Sequence, residues 1–151
     1  MSMRHLRFAG VRWRDRQLWL ALALGPLAWA ALVPVLPLTE QPLWPFAAPL
    51  TLLLAVVIYP VLEEIVFRGV IQDWLAERFS RKWWPLSLAN IVTSALFAVF
   101  HLWSQPPLWA LLVFFPSLVF GYFRERHDTL GTPILLHALY NLGLVWLFVG
   151  P

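Results

Sequence analysis

The chain has 151 residues, of which 60% are hydrophobic and only 13% are charged, whereas an ordinary soluble domain carries about 25% charged residues. A soluble domain of this length has too little interior to bury so much apolar surface, so the composition predicts a membrane protein. The lack of cysteine excludes disulfides, thiolate metal sites and cysteine nucleophiles. No polar linker and no internal repeat interrupts the sequence, which predicts a single membrane domain over residues 1–151.

The formal net charge is +3, and the basic residues other than Arg68 occur in short groups. These groups consist of Arg4, Arg7, Arg12, Arg14 and Arg16, then Arg78, Arg81 and Lys82, and finally Arg124 and Arg126. Such a distribution is typical of cytoplasmic membrane flanks, and it speaks against a nucleic acid as partner. The expected partner at this point is the lipid bilayer.

Five apolar segments follow one another and predict an all-α polytopic protein, a bundle of about five transmembrane helices. They cover roughly residues 18–38, 44–61, 85–103, 107–123 and 133–149. Each is close to the 17–25 residues that a membrane span requires. Residues 71–79 mix charged with aromatic side chains and predict a short interfacial helix. Thr132 and Pro133 predict an N-cap and a first helical position.

The loops alternate in charge, which predicts the orientation. The basic groups fall on one side, whereas residues 39–42 and 104–106 contain no Lys or Arg. By the positive-inside rule, the basic N-terminus (1–17) is cytoplasmic and the C-terminus is outside, in a bacterial inner membrane. The first apolar run continues past a possible cleavage site at residues 28–30, so an uncleaved signal anchor is favoured over a signal peptide. Several tryptophans are expected at span ends, namely Trp44, Trp83, Trp84, Trp103 and Trp109.

Three ionisable residues lie at the end of the second apolar segment, where a charge costs a few kcal/mol or more. Glu64 and Arg68 are four residues apart and share a helical face, so they are expected to pair. Glu63 is turned about 100° from that face and is left for another partner. The alternative is a purely structural ion-pair network.

His101 ends the third apolar segment, with Phe97 one turn earlier on the same face. Glu63 lies nineteen residues before Lys82 and His101 nineteen residues after it. An antiparallel helical hairpin that turns at Lys82 brings both to the same depth. A carboxylate and an imidazole at hydrogen-bond distance can activate a water molecule, although a lone histidine on an apolar helix can also be a packing residue.

His137 and Asn141 lie on one face of the fifth segment. They either donate hydrogen bonds to a developing oxyanion or bind a neighbouring helix. His5 and His127 lie in basic segments and are expected to be solvated. Pro60 and Pro116 mark places where their helices can kink.

Three motifs in order, over about residues 44–150, carry a resemblance to a known family. They are Glu63-Glu64-x-x-x-Arg68 followed by Gly69, Phe97-x-x-x-His101, and His137-x-x-x-Asn141. This pattern resembles the CPBP (Abi) intramembrane proteases, which include the type II CAAX prenyl endopeptidases. The resemblance implies a glutamic-type intramembrane endopeptidase that cleaves a membrane-associated protein or peptide.

The resemblance also implies roles for the residues. Glu63 and His101 correspond to the pair that activates water, and His137 and Asn141 to the pair that stabilises the oxyanion. The positions of structural support are Glu64, Arg68 and Phe97. No cofactor is expected, since the chain has no His-Glu-x-x-His zinc helix. Zinc bound by Glu63, His101 and His137 is the metal-dependent alternative.

The chain is shorter than the CAAX endopeptidases, and compact bacterial members of the family include myxosortase-like enzymes that process C-terminal sorting tails. The resemblance therefore favours a sorting tail as substrate. Other compact members are linked to bacteriocin self-immunity, so a non-catalytic immunity or scaffold protein of the same fold is an alternative. A proton-coupled transporter is disfavoured, because five helices without an internal repeat do not form the usual transporter architecture.

Overall fold

A computed structural model of the protein describes residues 7, 8, 10–79 and 82–151. The chain is 74% helical, which confirms the all-α prediction. Within the described ranges, extended structure is limited to a hairpin of β1 (Lys82–Trp83) and β2 (Leu86–Ser87). The predictions for Arg4, His5 and Arg81 lie outside the described residues.

Six helices follow one another in the described part of the chain. They are α1 (Arg16–Leu32), α2 (Trp44–Ala47), α3 (Pro49–Arg78), α4 (Leu88–His101), α5 (Pro107–His127) and α6 (Gly131–Val149). Helices α3, α5 and α6 are long and apolar enough to cross a membrane, and α4 is a shorter apolar helix of 14 residues. Each of the five predicted apolar segments therefore contains a helix, but two of these helices, α1 and α4, are shorter than the predicted spans.

Two helices begin at side-chain caps that the sequence provides. The carboxylate of Asp15 accepts a hydrogen bond from the backbone N–H of Gln17 at 3.0 Å and starts α1. The hydroxyl of Ser87 accepts from the N–H of Asn90 at 2.9 Å and starts α4. Each cap satisfies a backbone donor that the first helical turn leaves without an intrahelical partner.

The long helix α3 is not uniform. It widens into π-helical turns at Leu54–Ile58 and at Ile65–Gln72, with α-helical turns between them. Pro60 follows the first of these wide turns. The predicted interfacial segment, residues 71–79, continues α3 as far as Arg78 and does not form a separate helix.

The start of α6 differs from the sequence prediction. The helix begins at Gly131, whose N–H donates to the hydroxyl of Thr129 at 3.1 Å. The Thr132 hydroxyl lies 2.8 Å from Nδ1 of His127 and does not act as the predicted cap. His127 is only 3% exposed, so the prediction that it is solvated was wrong. The hydroxyl of Thr132 and the ring of Phe123 replace water around the imidazole.

The chain forms two compact units. The first consists of Glu63–Pro133 together with the described residues up to Val11, and the second consists of Arg12–Leu62 and Ile134–Pro151. The predicted single domain over the whole chain stays a prediction.

In the first unit, the second part of α3 packs against α4 and α5. Gln72 donates to the carbonyl of Gly121 at 3.0 Å, and Arg68 contacts Ser117 at the preceding turn of both helices, so α3 and α5 run in the same direction. Asn90 donates to the carbonyl of Leu118 at 2.9 Å, while Ser87, nearer the start of α4, meets Glu125 farther along α5. Helix α4 therefore runs opposite to both of its neighbours.

In the second unit, α1 lies against α6. The hydroxyl of Tyr140 donates to the carbonyl of Ala21 at 2.7 Å, and the indole N–H of Trp29 donates to the carbonyl of Tyr140 at 3.2 Å. Trp44 is 2% exposed, and its indole N–H donates to the carbonyl of Trp146 at 3.2 Å. Its predicted place at a membrane interface stays a prediction. The indole is buried because α6 supplies its hydrogen-bond acceptor.

Candidate active site

The first unit contains a fully buried ion pair. Nε of Arg68 lies 3.1 Å from Oε2 of Glu64, and both side chains are 0% exposed. Nη2 of Arg68 also donates to the hydroxyl of Ser117 at 2.7 Å and to its carbonyl at 3.1 Å. The pair that the four-residue spacing predicted is therefore formed, and α5 supplies additional acceptors. Such acceptors matter, because a buried charge without enough partners destabilises a fold strongly.

The same guanidinium covers an aromatic ring of α4. Cζ of Arg68 lies 5.3 Å from the centre of the Phe97 ring, which is a cation–π contact. The Phe97 ring in turn packs against the imidazole of His101, with ring centroids 4.4 Å apart. The Phe97 ring thus contacts both the Arg68 guanidinium and the His101 imidazole, the latter at a tilt of 45°.

The orientation of His101 indicates which of its two ring nitrogens carries the hydrogen. Nδ1 lies 2.9 Å from the backbone carbonyl of Phe97. A carbonyl oxygen can only accept, so we assign the ring hydrogen to Nδ1. In the neutral ring, Nε2 then carries a lone pair that can accept a proton or a hydrogen bond.

Phe67 of α3 and Phe97 of α4 meet edge to face, with ring centroids 4.9 Å apart. Phe67 lies fifteen positions before Lys82, and Phe97 lies fifteen positions after it. Glu63 and His101 lie nineteen positions before and after Lys82, so both pairs belong to the same antiparallel register. Because α3 and α4 run in opposite directions, about one further turn from this contact leads to Glu63 on α3 and to His101 on α4. Both residues are partly exposed and lie toward the same end of this helix pair.

His137 and Asn141 belong to the second unit. His137 is 4% exposed. The side-chain amide of Asn141 donates to the backbone carbonyl of Ala55 in α3 at 3.0 Å. The side-chain nitrogen of Asn141 therefore makes a helix-packing contact. Such a contact was the alternative that the sequence left open beside an oxyanion role. The oxyanion role of both residues stays a prediction.

The contact with Ala55 has a local cause. In the π-helical turn, the N–H of Tyr59 bonds to the carbonyl of Leu54, five residues earlier. By the same rule, the carbonyl of Ala55 would receive the N–H of residue 60, which is proline and has none. The amide of Asn141 occupies the place of the donor that Pro60 lacks.

The residues considered for zinc were Glu63, His101 and His137. Among the residues that the structure describes, no three His, Asp or Glu side chains form a group that could hold a metal ion. The expectation that the protein needs no cofactor stays a prediction.

Sequence reasoning missed the polar residues that line the contact between α3 and α5. Ser117 is 0% exposed and binds Arg68. Gly121 lies one turn later, and Glu125, which accepts from Gln72 at 2.8 Å, lies one turn after that. The signal was the recurrence of small or polar residues at positions 117, 121 and 125 within an apolar segment. At this spacing they share one helical face.

The fold and the site define an all-helical integral membrane protein with glutamate and histidine side chains on adjacent helices. The chain belongs to the family described as type II CAAX prenyl endopeptidase Rce1-like, whose model matches residues 42–143. This confirms the family resemblance drawn from the three motifs.

One relative is an uncharacterized 24.3 kDa protein of Escherichia coli, which is 33% identical over 98 residues. The match covers 64% of this chain and 44% of the relative. The chain therefore spans less than half the length of the curated relative that it matches. No solved structure matches the chain.

Proposed function

We propose that this protein is an intramembrane endopeptidase that hydrolyses a peptide bond in a membrane-associated substrate. Its membership in a family of CAAX prenyl endopeptidases supports this class of reaction. The observation that carries the proposal is the contact between Phe67 and Phe97, because it sets the helix register in which Glu63 and His101 lie toward the same end.

In the proposed reaction, Glu63 acts as general base and removes a proton from a water molecule. Nε2 of His101 accepts a hydrogen bond from the same water and orients it, since Nδ1 is held by the Phe97 carbonyl. The water oxygen attacks the peptide carbonyl carbon and forms a tetrahedral oxyanion. When the C–N bond breaks, Glu63 returns its proton to the leaving amine.

The oxyanion requires donors that act in the transition state. We propose His137 and Asn141 for this role, in line with the family motif. Asn141 carries two amide hydrogens, of which one is directed to the Ala55 carbonyl. The second hydrogen remains the candidate donor.

The proposed substrate is a membrane-anchored protein or peptide, with a C-terminal sorting tail favoured over a prenylated C-terminus. Two probes separate these classes. One is a quenched-fluorescence peptide with a single apolar helix and a basic C-terminal tail, and the other is a farnesylated CAAX-type peptide. Each is reconstituted in liposomes with the purified protein, and the cleavage rate is measured.

The decisive variants are Glu63→Gln and His101→Gln, each compared with the exposed control Glu77→Gln. We expect both site variants to remain folded and to lose cleavage, while the control retains it. A Glu63→Gln protein that cleaves at the wild-type rate would exclude Glu63 as the base. A wild-type protein that binds both probes and cleaves neither would favour the non-catalytic immunity or scaffold role.

The zinc-dependent version of the protease is tested separately. Because the sequence has no His-Glu-x-x-His zinc helix, we expect that dialysis against a chelator leaves the cleavage rate unchanged. Zinc present in equal amount with active protein, and lost together with activity on dialysis, would establish the metal-dependent alternative.

A further inference from the structure

Ser117 is a buried polar residue that the family motifs do not include. It lies on α5, is 0% exposed, and directs both its hydroxyl and its carbonyl to Nη2 of Arg68. The hydroxyl contact, at 2.7 Å, is the shorter of the two. A charged donor at this distance forms one of the stronger hydrogen bonds found in proteins.

Arg68 is held at three places within the first unit. Glu64 pairs with Nε, Ser117 accepts from Nη2, and the Phe97 ring lies against the guanidinium carbon. The guanidinium is planar, so fixing Nε and Nη2 fixes the orientation of the whole group. The plane that faces Phe97 is therefore set in part by Ser117.

Phe97 in turn contacts His101 through both its ring and its backbone carbonyl. The two rings are in contact at 4.4 Å, and the Phe97 carbonyl holds Nδ1 of the imidazole. Phe67 also packs against the Phe97 ring, in an edge-to-face contact with ring centroids 4.9 Å apart. The ring that packs against the His101 imidazole is thus itself in contact with Arg68 and Phe67.

We propose that Ser117 is a positioning residue that acts on His101 through Arg68 and Phe97. This inference rests on the proposed function, because His101 must orient the attacking water for the position of its ring to affect hydrolysis. Misplacing a catalytic group by about 1 Å can lower a rate by about 100-fold, even when the mutation is remote from the reacting atoms.

The first measurement reports on His101 without any substrate. The intact protein is labelled with ¹⁵N-histidine in detergent micelles, and the His101 ring signals are assigned by their loss in His101→Gln. We expect Ser117→Ala to shift these signals, whereas Ser117→Thr, which keeps the hydroxyl, leaves them near their wild-type positions. The matched control is Ser94→Ala, which removes another fully buried hydroxyl of the same unit, one that donates to Asn90.

The second measurement uses the probe that the wild-type protein cleaves. We expect Ser117→Ala to lower kcat by about 10- to 100-fold with KM nearly unchanged, and Ser117→Thr to recover most of the loss. Ser117→Cys, which keeps the size of the side chain but accepts hydrogen bonds weakly, should behave like Ser117→Ala and provides a second variant if the alanine variant does not fold.

A double variant tests whether the effect of Ser117 on His101 depends on the aromatic ring of Phe97. Phe97→Leu removes the aromatic face, so adding Ser117→Ala to it should lower kcat by no more than about twofold further, because the constraint is already lost. Multiplicative losses, or His101 signals that respond equally to Ser117→Ala and Ser94→Ala, would overturn the proposal. Retained activity in Glu63→Gln would instead overturn the proposed function, while the histidine signals would still report on Ser117.

Discussion

At the scale of single residues, the side chains of Glu64 and Glu63 lie in different environments, although the two residues are adjacent. Glu64 is 0% exposed and paired with Arg68, whereas Glu63 is partly exposed. The rotation of about 100° between successive helical residues separates them. Glu64 thus belongs to the buried ion pair with Arg68, and Glu63 is the carboxylate proposed for the chemistry.

Replacing Glu64 by Gln should destabilise the protein by about 3–5 kcal/mol, because it leaves the buried Arg68 guanidinium without its counter-charge. The measurement is thermal unfolding of the purified protein in detergent, with Glu77→Gln as the exposed control on the same helix. Unchanged stability of Glu64→Gln would show that Ser117 and the Phe97 ring are sufficient to hold Arg68.

At the scale of helices, the π-helical turn before Pro60 explains a contact that the sequence left open. Pro60 has no N–H to donate to the carbonyl of Ala55, and Asn141 donates to it instead. The amide therefore compensates for a local defect of α3, three residues before Glu63. A helix-packing role and a role in the oxyanion site can be separated by experiment.

Asn141→Ala should lower the free energy of unfolding by about 1–3 kcal/mol, since it leaves a buried carbonyl without this donor. In the background of Pro60→Ala, which restores a backbone N–H at position 60, the same substitution should cost clearly less. Thermal unfolding of the two single variants and the double variant completes the cycle.

The cleavage rates of the same variants test whether Asn141 also stabilises the oxyanion. If Asn141 also stabilises the oxyanion, its alanine variant should lose about 10²–10³ in rate in both backgrounds, with substrate capture nearly unchanged. A rate that recovers together with stability in the Pro60→Ala background would remove Asn141 from the proposed chemistry.

Gly121 allows α5 to approach the polar residues of its neighbours. A Cβ at this position would lie 2.0 Å from Oδ1 of Asn90 and 2.8 Å from Oε1 of Gln72. Gly121→Ala should therefore destabilise the protein by about 1–3 kcal/mol or more through overpacking. Gly25→Ala, whose Cβ would meet Tyr140 at 3.0 Å, is the milder comparison, and equal losses in thermal unfolding would contradict this account.

At the scale of the whole molecule, the prediction concerns orientation in the membrane. Reporter fusions should place residues 78–82 and 124–128 in the cytoplasm and residues 39–42 outside, because the basic groups fall on one side. Finding residues 78–82 outside would reverse the orientation, and with it the side from which a substrate enters.

Arg124, a basic residue of the second predicted cytoplasmic segment (124–128), is buried in the fold. Arg124 is 3% exposed and pairs with Asp73 at 2.6 Å and with Asp128 at 3.3 Å, whereas Arg126 on the same turn is exposed. The positive-inside rule counts Arg124 and Arg126 equally, because it does not consider burial. Substituting Arg124 should therefore affect stability as well as orientation, and Arg126→Gln provides the matched control.

The sequence by itself determined the membrane class, the all-α fold and the family. Apolar composition and segment length suffice for the class, because lipid requires every backbone polar group to be paired within helices. The four-residue spacing also sufficed for the pair of Glu64 and Arg68, since both lie on one helix whose geometry is regular enough to predict.

Only the tertiary structure decided which polar residues from different helices meet. Ser117 and Arg68 are 49 positions apart, and Asn141 and Ala55 are 86 apart, so neither contact follows from the period of a single helix. The burial of His127 was mispredicted for the same reason. A basic flank predicts a solvated histidine, but Thr132 supplies the partner that the buried imidazole contacts. Local pattern fixes the face of a helix, whereas the packing of helices fixes what that face contacts.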